Sequence, residues 1–109
     1  MTTVTFHMEE DRITGFDSHG HSGYAEAGAD IVCAAVTSAV RLTETTVNDV
    51  LGLCAAVKVS ERDARISFHL PGGLSDSDEN TCQTILTGLM VYFTELRDEY
   101  PDNIEVLEN

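Results

Sequence analysis

An α+β architecture, with two helices packed on a mostly antiparallel sheet of about five strands, is what this sequence predicts. Three observations carry it. Apolar residues alternate with polar ones in several short stretches, they recur at helical spacing in two longer stretches, and Gly, Pro and acidic residues separate the two kinds. The predicted order is strand, strand, helix, strand, strand, helix, strand, in one domain spanning residues 1–109. Each helix has a single apolar face and needs a sheet to cover it.

The elements follow in order. Val4, Phe6 and Met8 alternate with Thr5, His7 and Glu9, and after a polar break a second run over residues 12–17 completes a hairpin. Residues 19–29 hold Gly20, Gly23 and Gly28 among small and polar neighbours and read as a mobile loop. Asp30 stands just ahead of a helix predicted over residues 30–51, with Val32, Val36, Ala39, Val40, Val47, Val50 and Leu51 on one face and Gly52 near its end. Two alternating runs, residues 55–60 and 64–70, form a second hairpin closed by Pro71, Gly72 and Gly73. Ser75 and the acidic residues up to Glu79 open a second helix, on which Cys82, Ile85, Leu86, Leu89, Tyr92, Phe93 and Leu96 repeat until Pro101. Residues 104–107 read as a last strand.

Composition narrows the function. Apolar residues make up 42% of the chain, which excludes a disordered polymer. The N-terminus lacks the basic and continuously apolar segments of a secretory signal, and no stretch has the length of a membrane span, so a soluble cytoplasmic protein is expected. A net charge of −13, with Lys58 the only lysine, argues against a nucleic-acid partner and favours a basic one. The three cysteines, Cys33, Cys54 and Cys82, are widely spaced and odd in number, which suits neither a disulfide framework nor a structural zinc site.

One of those thiols stands where chemistry is favoured. With Asp30 as the helix cap, Cys33 falls in the first helical turn, where unpaired backbone N–H groups and the positive end of the dipole favour a thiolate. The same N–H groups could hold an oxyanion during acyl transfer. A cysteine nucleophile also needs a proton acceptor that later becomes a donor, and His21, in the Gly-rich stretch leading into the helix, is within reach. Other readings compete. A cysteine beside Ala34, Ala35 and Val36 suits a core helix, and Cys54 and Cys82 lie on apolar stripes and are expected in the core. His7 and His69 read as solvated or satisfied strand histidines. A metal set of His19 and His21 with Cys33, Asp17 or Asp30 rests on H-x-H spacing alone, and neither metal nor cofactor is expected. A thiol redox sensor would want a resolving cysteine near Cys33 in sequence, and there is none.

The segment from Gly20 to Val36, G-H-S-G-Y-A-E-A-G-A-D-I-V-C-A-A-V, resembles the signature of the bacterial ribosomal-processing cysteine protease family Prp, in which a G-H element precedes a D-I-V-C-A element across a Gly-containing loop. The resemblance implies a Cys33/His21 dyad, an intervening loop that is mobile until substrate arrives, and a homodimer. It also implies a substrate: the N-terminal extension of the large-subunit ribosomal protein numbered twenty-seven in the bacterial scheme, a basic protein that an acidic enzyme suits. Gly20, Ser22, Tyr24 and Thr37 are then candidates for supporting or substrate-loop roles, and Asp30 for a helix cap that also orients the site. Ser22 stands where the family often has Ala, and Thr37 where a Ser four residues after the cysteine is common. A non-catalytic ribosome-assembly or peptide-binding module with the same fold is the alternative.

Overall fold

Alternation puts every second residue of a strand on one face, and here that face is apolar enough to nucleate a core. The computed structural model describes residues 1–20 and 27–109, with side chains in the second stretch from residue 31 onward. Strand β1 (Thr2–Glu9) and strand β2 (Arg12–His19) form the first hairpin, with Phe6 opposite Phe16 and Val4 opposite Ser18. The register shifts between His7 and Met8, so Thr14 is an extra residue in β2. Strands β3 (Ala56–Ser60) and β4 (Arg65–His69) form the second hairpin, and β5 (Ile104–Glu108) closes the chain. The sheet runs β3-β4-β2-β1-β5, antiparallel except where β5 lies parallel to β1. This is the fold class read from the sequence.

Two helices cover one face of the sheet. Helix α1 (Ala27–Glu44) continues into a π-helical turn (Thr45–Val50), and helix α2 (Asp76–Glu99) follows the second hairpin. Between them and the sheet lie Phe6, Phe16, Phe68 and Phe93, all fully buried, with Phe16 and Phe68 stacked at 5.2 Å. Val32, Val36 and Val40 enter this core from α1, and Leu86, Leu89 and Phe93 from α2. Burying side chains of this size stabilises the fold by about 1.5–3 kcal/mol each. Gln83 ties α2 to the irregular part of β2, its amide accepting from the Ile13 N–H and donating to the Ile13 carbonyl at 2.8 Å each.

Three expectations are corrected. Helix α1 begins at Ala27, so Asp30 is its fourth residue rather than the cap ahead of it, and Cys33 is its seventh. Val50, expected on the buried face, is 73% exposed: the Leu51 N–H bonds five residues back to the Thr46 carbonyl at 3.0 Å, and this wider turn rotates Val50 outward while Val47 stays buried. Cys54, expected in the core, is exposed, because the chain turns there through a left-handed φ of 59° and sends Leu53 and Ala55 inward on either side. The side chain of Asn48 holds this turn, accepting from the Ala55 N–H at 2.6 Å and donating to the Ala55 carbonyl at 3.1 Å.

Candidate active site

On α1, Val32 and Val36 point straight into the core, and one residue further round the helix Cys33 and Thr37 flank them. The rotation leaves Thr37 exposed and Cys33 half-buried, its Sγ 3.8 Å from the hydroxyl of Thr2. Sequence and fold thus place this sulfur at the margin of the core rather than inside it. Beside it runs a cleft of about 270 Å³. Cys33, Val36 and Thr37 form one side, Thr2, Ser18 and Gly20 lie at the ends of the central strands, and Val59, Ser60, Glu61, Ala64, Arg65 and Ile66 from the second hairpin form the other.

The central strands shape this cleft through buried polar groups. Thr2 and Ser18 are only 5% and 6% exposed. The Thr2 backbone is anchored by its N–H, which donates to the Asn103 carbonyl at 2.9 Å, and its hydroxyl lies against the thiol. At the end of β2, Gly20 has a φ of +93°, and a Cβ there would run into the carbonyl of Met1. Only glycine fits at this junction, where the residue preceding His21 packs against Met1, just ahead of β1. Across the cleft the β3–β4 connection turns tightly, with Ala64 at a φ of 48° and its N–H donating to the Glu61 carbonyl at 3.3 Å. One carboxylate and one guanidinium, from Glu61 and Arg65, therefore line the cleft wall opposite the helix.

The structure brings Cys33, Gly20 and Thr37 together, as expected. His21, Ser22 and Tyr24 lie outside the described residues, as does the Asp30 side chain. The expected place of Cys33 among unpaired helix-terminal amides does not hold, because with α1 starting at Ala27 those amides belong to the turn before it. Thr2 and the residues of the second hairpin were missed, since nothing in their local sequence marks them and only the sheet order carries them to the helix. Among the described residues no metal-sized cluster of His, Cys, Asp or Glu side chains includes Cys33 or His19. Cys82 behaves as expected of a core thiol: it is fully buried, and burial pushes its pKa up, with Glu79 and Asp78 adding to the effect.

A half-buried thiol on a helix, facing a cleft, is what thiol chemistry on a substrate needs, and a cysteine protease is the class of this enzyme. The family profile described as "Cysteine protease Prp" matches residues 1–105, and the chain belongs to that family. It is 28% identical over 110 residues to the ribosomal processing cysteine protease Prp of Bacillus subtilis, covering 100% of this chain and 98% of the relative. It is 31% identical over 99 residues to the protein of the same name from Staphylococcus aureus, covering 90% of this chain and 89% of the relative. Among solved structures, the S. aureus Prp protease in complex with a substrate peptide superposes with a TM-score of 0.85 at 19% identity, and the same protease with a covalently linked product peptide with 0.77 at 23%. Both are covered in full, as is this chain. At these identities the structures speak for the fold.

Proposed function

We propose that this protein is a cytoplasmic, homodimeric endopeptidase that removes the N-terminal extension of the large-subunit ribosomal protein numbered twenty-seven, with Cys33 as nucleophile and His21 as acid and base. The observation that carries the reading is the position of the Cys33 sulfur, accessible from the cleft and hydrogen-bonded to Thr2 at 3.8 Å. The names of the relatives support the ribosomal substrate, and the solved complexes of the S. aureus protease support a peptide in the cleft. A net charge of −13 favours a basic partner over a nucleic acid.

In this reading the peptide lies extended between α1 and the β3–β4 turn. His21 takes the thiol proton, the sulfur attacks the scissile carbonyl, and the tetrahedral adduct collapses as His21 returns the proton to the leaving amine. Water, deprotonated by His21, then attacks the thioester, releasing the new carboxylate and regenerating the thiol. Thr2 donates its hydroxyl hydrogen to the sulfur anion, a contribution that the early start of α1 makes more valuable. Incubating the purified protein with the precursor ribosomal protein from the same genome, followed by mass spectrometry of its N-terminus, tests the proposal. One defined truncation is expected with the parent enzyme and none with Cys33→Ala. An uncut precursor, or equal cutting by the variant, overturns it.

A further inference from the structure

The face of the sheet away from the helices carries a cluster for which the protease chemistry has no use. Strand register sets His7, Gly15 and His69 in one row across β1, β2 and β4. Two strand spacings, about 9.6 Å, separate the two histidine backbones, and the residue between them has no side chain. A Cβ on Gly15 would meet Nδ1 of His69 at 2.8 Å and would run into the carbonyl of Phe68. The glycine therefore lets the two imidazoles close over β2, their rings 5.6 Å apart and 16° from parallel.

Asp17, two residues along β2 on the same face, completes the group. Its Oδ2 lies 2.8 Å from Nε2 of His7, and its Oδ1 accepts from the Ser67 hydroxyl. Burial raises its pKa, but the hydrogen bonds from Ser67 and His7 outweigh this and keep it an anion. The other ring nitrogen of His7, Nδ1, has the side-chain amide of Asn109 at 3.5 Å. One donor atom each from His7, Asp17 and His69 lies within 4.8 Å of the other two.

We propose that His7, Asp17 and His69 form a binding site for a divalent transition-metal ion of the zinc class, joining β1, β2 and β4 on the open face of the sheet. Two imidazoles and a carboxylate are suitable ligands for such an ion, with bonds of about 2.0–2.2 Å. Donor atoms around a tetrahedral ion at that range lie about 3.3–3.5 Å apart. The His7–Asp17 pair need only open by about half an ångström to admit the ion, while His69 closes in. Neutral His7 carries its one ring proton on Nδ1 when Nε2 binds the ion, so the pair loses no net proton; two metal–nitrogen bonds and one metal–oxygen bond form, and water takes the fourth position. Ser67 holds the outer oxygen of the Asp17 carboxylate, the kind of contact that fixes a coordinating group before the ion arrives. The site stands independently of the protease reading.

Isothermal titration of ZnCl2 into the full chain, with Cys33 and Cys54 first alkylated by iodoacetamide so that neither sulfur competes, tests the site. One ion per chain is expected, with an affinity that falls at least about 100-fold in His69→Ala and in Asp17→Asn. Zinc should also raise the melting temperature of the alkylated parent and leave that of His69→Ala unchanged. His69 is exposed on its strand, so its replacement leaves the core intact. No binding to the parent, or binding that both variants retain undiminished, overturns the proposal.

Discussion

The two helices carry one cysteine each, and the pair shows how a single residue type is put to opposite uses. On α2, Cys82 is 0% exposed and takes its place in a stripe with Leu86, Leu89 and Phe93. On α1, Cys33 sits beside the buried stripe, half-exposed at a cleft. The helices also begin differently. Helix α2 opens on Ser75, whose hydroxyl accepts from the Asp78 N–H at 3.1 Å, with Asp76, Asp78 and Glu79 in its first turn. Helix α1 starts at Ala27, ahead of the aspartate that looked like its cap. Both helices bury an apolar stripe, but the cysteine lies within it on α2 and beside it on α1.

That contrast can be tested from its strongest consequence to its weakest. Cys33→Ala should lower peptide cleavage by at least about 1,000-fold, read by mass spectrometry, while changing unfolding free energy in urea by about 1 kcal/mol or less. Cys82→Ser should do the reverse, destabilising the fold by about 1–3 kcal/mol by burying an unpartnered hydroxyl, with turnover retained in the folded fraction. Loss of activity in Cys82→Ser at full occupancy of the native state would erase the distinction between the two thiols. Thr2→Val keeps the shape and removes the donor to the Cys33 sulfur, and kcat/KM should fall about 10-fold, the equivalent of one ordinary hydrogen bond.

The smallest effect belongs to the outer flank of α2. Arg12 grips Glu79 with two nitrogens, one at 3.1 Å from Oε2, and these bonds hold the Glu79 carboxyl below its ordinary value of 4.5. A folded-state pKa lowered in this way stabilises the protein above about pH 4.5 and is lost as the pH falls through the folded-state value. Glu79→Gln should therefore lower stability at pH 7 by about 1 kcal/mol or less, since the pair is partly open to water. The difference between variant and parent should vanish in strong acid, as measured by urea titrations at several pH values.

Much of this was legible in the sequence, and the failures have physical causes. Both hairpins, α2 and the last strand were readable because alternation, a Ser75 cap and the stop at Pro101 all act locally. Cys33, Gly20 and Thr37 were legible through the resemblance to the Prp signature, whose elements lie close together along the chain. Thr2, Glu61 and Arg65 were not, because the sheet order brings distant segments to one cleft. Asp30 misled because an aspartate is favourable in the first turn of a helix as well as before it. Cys54 misled because the unbroken apolar run Leu53, Cys54, Ala55 marks no face, and a left-handed turn there sends its middle residue outward. The pairing of His7 with Asp17 was expected only as a satisfied strand histidine, and the part played by Gly15 in opening that face becomes visible only once the strands are in register.

Strand β5 has a consequence for the life of the chain during synthesis. It is made long after β1, yet it pairs with that strand from Thr2 to Phe6. Until β5 is free to dock, one side of β1 presents a row of unsatisfied amides and carbonyls next to Val4 and Phe6, an invitation to strand addition by another molecule. A nonsense codon or a clipping protease that removes β5 would leave every cleft residue in the chain and still yield an aggregation-prone product.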